Sequence, residues 1–240
     1  MEIWQERTSM LLGEQALRTL GDSTVTVVGV GGVGAMAAEM LVRAGLGHIV
    51  LVDPDAVSES NLNRQLPALH STLGRLKAEV LRDRFLDINP SLDIRVEALF
   101  VSEDNIPSVV GKPDYVVDAI DTLSPKTALA QYCLSAGIPL VSSMGSGAKK
   151  DATAVRISDI SETFECPLAR MMRKRLHKLG VRGGFLAVFS PEVPDKEGMV
   201  IEETRNKKSQ VGTLSYLPAV FGCVCAQAVI CGITAFGAKK

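Results

Sequence analysis

A glycine-rich turn after a short apolar strand constrains this chain more than any other feature. Residues 24–34 read Thr-Val-Thr-Val-Val-Gly-Val-Gly-Gly-Val-Gly, which predicts a strand over Thr24–Val28 and then a turn built on Gly29, Gly31, Gly32 and Gly34. Such a turn brings backbone N–H groups against phosphates at the N-terminus of the next helix. By itself the pattern predicts a nucleotide-binding α/β fold, most often one for a dinucleotide.

Length and composition narrow the class of protein. The chain has 240 residues, enough for one large α/β domain, and 46% are hydrophobic, which excludes a disordered chain. The net charge of −1 is not that of a strongly basic nucleic-acid binder, so RNA binding has to come from a local patch. Glu2, Glu6 and Arg7 interrupt any N-terminal signal peptide, and we expect a cytoplasmic protein.

The cysteines exclude two kinds of site. There are five of them, an odd number, and none forms a Cys-x-x-Cys pair. This spacing argues against a disulfide framework and against a four-cysteine zinc site. We therefore expect core thiols in a reducing compartment, and no zinc.

Strands alternate with helices along most of the chain. The alternation predicts a Rossmann-like α/β fold, a doubly wound and mostly parallel sheet with a C-terminal α+β extension. Strands are expected at 24–28, 48–52, 94–99, 115–120, 139–143, 153–158 and 185–189, and helices at 7–20, 33–44, 73–88, 124–136 and 166–179. We expect a single domain over 1–240, with the nucleotide-binding core in 1–150 and a substrate-binding extension in 151–240.

Polar residues after the second predicted strand indicate the ligand. Asp53 lies 19 residues after Gly34, close to the spacing of about 20 at which an acid binds the ribose of a dinucleotide. A dinucleotide leaves several of the residues that follow without a purpose: Asn61, Asn63, Arg64, Gln65 and Lys77. Asp55 either supports the site or caps a turn. Cations beside a phosphate chain instead favour a nucleotide under attack, as in ATP-dependent adenylation of a carboxylate. Lys77 falls in an apolar helix stripe, where it either extends to the edge or lines a cleft.

Two further elements are placed near the predicted site. The fourth predicted strand brings Asp118 and Asp121 to its C-terminal end, so both should lie at the carboxyl edge of the sheet, where ligands bind. The turn Gly145-Ser146-Gly147 follows the fifth strand; it either flanks the substrate carboxylate or merely links the strand onward. The sequence leaves both interpretations open.

The last part of the chain contains two unusual segments. Residues 191–212 are polar and charged and predict a mobile loop. Residues 217–236 are uncharged and long enough to span a bilayer. We favour a buried helix packed on the sheet or on a partner subunit, with membrane attachment as the alternative.

The residues from Arg7 to Ser143, in this order, resemble the ubiquitin-activating-like adenylyltransferases. Within that superfamily the chain looks most like the tRNA threonylcarbamoyladenosine dehydratases. Three motifs support this: residues 7–17, Asn63 where sulfur-carrier activators usually have Gln, and the Cys-Pro-Leu-Ala-Arg sequence at 166–170. The two Cys-x-x-Cys pairs typical of sulfur-carrier activators are missing.

The resemblance implies an activity. Such enzymes use ATP to cyclise the threonylcarbamoyl group on the adenosine next to the anticodon of certain tRNAs, and they release AMP and pyrophosphate. It implies ATP and Mg²⁺ as cofactors, a homodimer, and catalytic roles for Arg7, Arg64, Lys77 and Asp121. A companion protein of the sulfur-acceptor type is compatible with this class, but the sequence does not identify one.

The resemblance also implies a role for each motif. The glycine turn would approach the phosphates, Asp53 would hold the ribose hydroxyls, and Asp121 would hold Mg²⁺. Arg64 and Lys77 would neutralise charge on the phosphates, while Asn61 and Gln65 position them. Arg7 would reach the ATP of the partner subunit.

A concentrated basic stretch fits a tRNA substrate. Its residues on the helix predicted at 166–179 are Arg170, Arg173, Lys174, Arg175 and Lys178. They form either a patch for the tRNA backbone or an ordinary solvated helix face.

Other functions stay open on the sequence alone. The main alternative is an adenylyltransferase that activates the C-terminal glycine of a ubiquitin-like sulfur-carrier protein. An NAD- or FAD-dependent oxidoreductase would use the glycine turn only. An RNA-binding or membrane-attached scaffold would keep the nucleotide fold for stability.

Overall fold

The computed structural model describes residues 2–200 and 210–235. Its main sheet contains β1 (Thr24–Val28), β2 (His48–Val52), β3 (Asp93–Glu97), β4 (Tyr115–Asp118), β5 (Leu140–Ser143), β6 (Arg156–Asp159) and β7 (Leu186–Phe189). A separate antiparallel ribbon pairs β8 (Met199–Val200) with β9 (Gln210–Val211). The α-helices are α1 (Glu6–Leu12), α2 (Glu14–Asp22), α3 (Gly34–Ala44), α4 (Lys77–Ile88), α5 (Ile106–Val110), α6 (Leu123–Ala136), α7 (Pro167–Lys178) and α8 (Tyr216–Thr234).

The strand order of the main sheet is β3-β2-β1-β4-β5-β7-β6. Neighbouring strands are parallel except β6, which runs antiparallel to β7 at the edge. The predicted doubly wound, mostly parallel α/β fold is confirmed, and β7 and β6 extend the same sheet. The order reverses between β1 and β4, and open sheets of this kind bind ligands outside the carboxyl ends of their strands at such a point.

Helices cover both faces of the sheet. On one face α3, α4 and α8 pack against alternate side chains of the central strands, such as Val27, Leu51 and Val117. On the other face α5, α6 and α7 pack against the intervening side chains, such as Val50 and Val116. Burial on both faces explains why these strands are nearly continuous apolar runs.

The uncharged C-terminal segment forms α8, which is long and apolar enough to cross a membrane by length and composition. One side of α8 is nevertheless buried against α3 and the sheet. Four residues of that side belong to the core: Leu217, Phe221, Cys225 and Val229. Gly222 permits the close approach, since a Cβ there would lie 2.5 Å from the Val33 carbonyl oxygen. This packing agrees with the favoured buried helix; residue 236 lies outside the described part.

Two helices differ from the expected ones. The N-terminal helix is broken at Gly13, whose φ of +85° separates α1 from α2 and is disfavoured for any other residue. The helix expected from residue 73 begins only at Lys77. Leu76, the residue just before it, instead forms an isolated antiparallel β-bridge with Ala56. Lys77 therefore occupies the first turn of α4.

Residues 191–212 were expected to form one loop. The described part contains a 3-10 turn at Lys196–Gly198 and the ribbon of β8 and β9, while 201–209 lie outside it. The ribbon brings Val211 to the wall of the cavity described below.

All five cysteines are free thiols. Burial raises the pKa of the Cys133 and Cys225 thiols to about 12, so both stay protonated at neutral pH. Cys166 is also buried, whereas Cys223 is exposed on α8. The prediction of core thiols is therefore correct for Cys133, Cys166 and Cys225 and wrong for the exposed Cys223.

Candidate active site

A cavity of about 970 Å³ opens outside the carboxyl ends of β1, β2, β4 and β5. This volume is at the upper end of the range usual for small-molecule sites. Ten of the predicted site residues line it: Gly29, Gly31, Gly32, Asp53, Asp55, Asn61, Arg64, Gln65, Lys77 and Asp121. Three other residues that were predicted to bind the nucleotide or to act in catalysis do not line it: Gly34, Asn63 and Arg7.

The glycine turn presents unused backbone donors to the cavity. The amides of Gly31 and Gly32 have no hydrogen-bond partner among the described residues, whereas the Val30 amide donates to Asp53 Oδ2 over 2.7 Å. Gly34 lies beneath the turn, and a Cβ there would come within 1.8 Å of the Gly29 carbonyl oxygen. Gly34 thus shapes the turn, and Gly31 and Gly32 fit an anionic ligand at the start of α3.

Asp53 is fixed where the ribose acid was predicted, directly after β2. It is 6% exposed and accepts hydrogen bonds from the amides of Val30 (2.7 Å) and Asp55 (2.9 Å). Burial raises the pKa of this carboxyl, although the Lys77 charge and the two amides act in the opposite direction. Each carboxylate oxygen retains acceptor capacity for a ligand hydroxyl.

The two predicted cations of the site, Lys77 and Arg64, are held by the protein's own oxygens. Lys77 Nζ lies 2.8 Å from Asp55 Oδ2; the lysine side chain is 6% exposed and the aspartate 63%. Arg64 Nη1 donates to the Ser60 carbonyl (2.9 Å) and to Asn63 Oδ1 (2.7 Å). Asn63 therefore supports Arg64 from outside the cavity. Lys77 lines the cavity, which was one of the two interpretations of its position in an apolar helix stripe.

A polar pair completes the wall beside the glycine turn. Asn61 is buried and accepts the Ser58 amide over 3.1 Å. Gln65 carries a buried side-chain oxygen, Oε1, that has no partner among the described residues. A buried polar atom without a partner is costly, so a ligand that bonds to Gln65 would remove that cost.

Asp121 is exposed at the cavity, after β4. The described residues contain no group of three or more His, Cys, Asp or Glu side chains able to hold a metal ion. Mg²⁺ is commonly bound by one or two carboxylates together with substrate phosphates. One carboxylate beside a phosphate-binding turn fits that arrangement.

Asp118, expected beside Asp121 at the site edge, is instead completely buried. Its Oδ2 lies 2.9 Å from Lys126 Nζ and accepts the Ser142 hydroxyl over 2.6 Å. Lys126 also donates to the Ile120 carbonyl over 3.0 Å. This ion pair therefore fixes the turn that carries Asp121 and takes no part in lining the cavity.

Sequence reasoning missed a third cation in the cavity wall. Lys149 is 3% exposed, and its Nζ donates to the Ser190 carbonyl over 2.6 Å. Burial lowers the pKa of this amine, although Cys166 and Glu192 act in the opposite direction. Its position just after Gly145–Gly147 was the available signal, because that turn follows the carboxyl end of β5.

Arg7 lies apart from this cavity. It is exposed on α1 and borders a shallow depression of about 360 Å³ together with Met10 and Leu11. Within one chain the structure therefore does not bring Arg7 together with the other predicted catalytic residues.

The predicted basic helix is α7, whose N-terminus touches the cavity through Cys166, Pro167 and Leu168. Three of its cations are exposed at intervals of four residues along one stripe: Arg170, Lys174 and Lys178. The other two make contacts within the fold, Arg173 with Thr163 and Arg175 with the Ser124 hydroxyl. Ser124 is the second residue of α6, whose N-cap is Thr122.

Comparison with known proteins identifies relatives over nearly the whole chain. The sequence model of the ThiF family matches residues 5–240. The tRNA threonylcarbamoyladenosine dehydratase of Bacillus subtilis is 43% identical over 203 residues, 84% of this chain and 78% of the relative. The Escherichia coli protein of the same name is 40% identical over 217 residues, 83% and 80% of the two chains.

The fold agrees with these relatives. A crystal structure of E. coli tRNA N6-threonylcarbamoyladenosine dehydratase in complex with ATP matches with a TM-score of 0.88 at 36% identity. The match covers 97% of this chain and 94% of that one. This chain therefore belongs to the ThiF family and, within it, to the tRNA threonylcarbamoyladenosine dehydratases.

Proposed function

We propose that this protein is an ATP-dependent dehydratase that cyclises N6-threonylcarbamoyladenosine in tRNA, next to the anticodon. The observation that carries the proposal is the convergence of two unpartnered turn amides and two cations on one cavity. They converge in a chain whose E. coli relative has been crystallised with ATP. That cavity offers what a triphosphate under attack requires.

The chemistry follows from the reactivity of the substrate. A free carboxylate is a poor electrophile, so one of its oxygens first attacks the α-phosphate of ATP, and pyrophosphate leaves. The carbamoyl oxygen then attacks the activated carbonyl carbon, the ring closes as AMP leaves, and the adjacent N–H of the carbamoyl group releases its proton. Water is lost overall at the expense of ATP, and no cysteine nucleophile is needed.

The site residues take roles that fit their contacts. Lys77 and Arg64 would turn from their own-chain oxygens to the phosphates and offset the charge that develops during displacement. Asp53 would accept hydrogen bonds from the ribose hydroxyls, and the buried Gln65 oxygen would gain a partner. Asp121, with the phosphates, would hold Mg²⁺, which supplies further charge neutralisation when bound.

The direct test uses purified protein, ATP, Mg²⁺ and tRNA that carries threonylcarbamoyladenosine. After digestion of the RNA, mass spectrometry should show a nucleoside lighter by one water, formed only when ATP is present. Absence of that nucleoside while ATP still binds would favour the sulfur-carrier alternative, which pyrophosphate exchange with small carrier proteins would then test.

The raised pKa of Asp53 gives a pH prediction. Burial disfavours the charged carboxylate, so Asp53 takes up a proton at a higher pH than an ordinary aspartate. Protonation removes the charge that accepts the ribose hydroxyls, so ATP affinity should fall with acidification through that raised pKa. Because folding raises the pKa of Asp53, this residue destabilises the folded state only at pH values where its carboxylate is charged. Protonation of Asp53 therefore does not lower the free energy of unfolding. Loss of binding should therefore precede unfolding.

Calorimetric titration of ATP across pH measures this effect. The Asp53→Asn variant should bind ATP weakly at every pH, without the fall in affinity at acid pH (the acid limb) that the unmodified protein shows. Thermal unfolding at each pH serves as the control. An identical acid limb in the variant would assign the titration to another group.

We also propose a homodimer in which Arg7 completes the partner's site. Met10 and Leu11, the neighbours of Arg7, are 85% and 73% exposed, a costly arrangement in water that a partner subunit would relieve. Arg7→Ala and Lys77→Ala should each be inactive, but a mixture of the two should regain part of the activity through mixed dimers. No recovery after subunit exchange, verified with tagged chains, would place Arg7 outside the partner's site.

The stripe of Arg170, Lys174 and Lys178 would bind the tRNA backbone. It runs along α7, about 18 Å long at 1.5 Å per residue, from the edge of the cavity. Such contacts would hold the tRNA while the modified base enters the site.

We place this reaction in the cytoplasm. A companion protein of the sulfur-acceptor type remains a prediction.

A further inference from the structure

We infer that Lys149 binds the carboxylate of the threonylcarbamoyl group and holds it for attack on the α-phosphate. The inference rests on the proposed function and assigns the substrate side of the same cavity. Three cations line that cavity among the described residues: Arg64, Lys77 and Lys149. The first two belong to the nucleotide side, and Lys149 has no role there.

The sheet order places Lys149 on the opposite side of the cavity from the nucleotide. The glycine turn follows β1 and Asp53 follows β2, whereas Lys149 belongs to the segment after β5. Two strand spacings of about 4.8 Å separate β1 from β5, roughly 10 Å at the level of the sheet. Asp121, after β4, lies between them. A group held by Lys149 would therefore approach the phosphates from the acceptor side.

Lys149 is buried and contacts no carboxylate among the described residues, and the charge of Glu192 acts on it only from a distance. The residue is 3% exposed. Among the described residues, its Nζ bonds only to the Ser190 carbonyl, and no carboxylate lies within 4.0 Å of it. The nearby Glu192 carboxylate is occupied by the backbone amides of Lys150 and Asp151, each at 2.8 Å. Burial of an unpaired ammonium is costly unless an anion pairs with it.

The substrate supplies such an anion. An ammonium has three donors, and the Ser190 carbonyl uses one of them. A carboxylate that enters between Lys149 and the phosphates would take the others and neutralise the charge. The ion pair between Lys149 and the carboxylate also orients the second carboxylate oxygen, which attacks the α-phosphate.

A purely structural role for Lys149 makes a different prediction. Ser190 follows β7, so the bond between Lys149 and Ser190 could serve only to tie the turn after β5 to that strand. Lys149→Gln keeps a donor for the carbonyl but removes the charge, whereas Lys149→Met removes both. A structural role predicts that Gln restores what Met loses, and carboxylate binding predicts that both variants fail alike.

Steady-state kinetics with the modified tRNA as the varied substrate separates these cases. Both variants should raise KM for the tRNA by about 10- to 100-fold, the loss expected for one hydrogen bond to a charged group. The Kd for ATP should not change. Lys150→Gln is the matched control, since the adjacent Lys150 lies outside the cavity and pairs with Asp195 over 2.7 Å. A Gln variant with the unmodified protein's KM would overturn the inference.

A binding measurement makes this test independent of turnover. The unmodified protein should bind tRNA carrying the threonylcarbamoyl group more tightly than the same tRNA without it, and both variants should lose that difference. If the unmodified protein discriminates and both variants do not, but no dehydrated nucleoside forms, the proposed function fails and Lys149 remains a carboxylate-binding residue. If it turns over while the variants discriminate equally well, only the role of Lys149 fails.

Discussion

Replacement of Lys77 by Met should lower kcat roughly 10²–10³-fold, the loss typical for one donor that stabilises transition-state charge. The methionine keeps the buried stem of the side chain and removes the ammonium. Its partner Asp55 is 63% exposed and can be hydrated when the lysine is gone, so stability should change little. Single-turnover formation of the dehydrated nucleoside, with urea unfolding in parallel, measures both effects.

The matched control lies two residues away. Arg75 pairs with Asp83 over 2.6 Å on the surface, with both side chains nearly half exposed, and it does not line the cavity. Arg75→Met should therefore leave kcat unchanged. Equal losses in the two variants would mean that the start of α4, and not the Lys77 charge, limits the reaction.

Loss of the buried Lys126 ammonium should destabilise the protein more than any surface change. Lys126→Met leaves the Asp118 carboxylate at 0% exposure without its cation, and breaking a buried pair in this way costs about 3–5 kcal/mol. Folded domains have a total stability of only about 5–15 kcal/mol. The variant should therefore unfold at a markedly lower urea concentration.

A double variant tests the electrostatic cause. Asp118→Asn combined with Lys126→Met removes both charges and should recover part of the loss, whereas a packing defect would leave the double variant as unstable as the single one. Arg18→Met is the surface control, since Arg18 and Glu14 are 65% and 70% exposed and pair over 3.5 Å. That change should have no measurable effect on the urea midpoint.

The nucleotide half of the site was predictable because short-range patterns define it. Strand β1, its glycine turn and the acid at the end of β2 follow from local spacing, and the parallel order then brings Asp53 and Asp121 to one edge. The polar residues after β2 indicated Arg64 and Lys77, and the resemblance added their catalytic roles. These residues line one cavity as expected.

The remaining features depend on tertiary packing that the sequence does not display. Asp118 ends β4 and Asp121 follows three residues later, and only the tertiary contacts of Asp118 with Lys126 and Ser142 distinguish the buried acid from the one at the cavity. Lys149 looks like any exposed lysine in a polar run until Ser190 and the sheet bury it. The break at Gly13 was also missed, because the apolar pattern continues across it.

The central claim is that this chain adenylates the carboxylate of its substrate. The most direct measurement uses modified tRNA whose threonylcarbamoyl carboxylate carries a heavy oxygen isotope, with mass spectrometry of the released nucleotide. We predict AMP with one labelled oxygen, because the carboxylate oxygen that attacks the α-phosphate leaves with AMP when the ring closes. Dehydrated nucleoside accompanied by unlabelled AMP, or by ADP and phosphate, would contradict the claim.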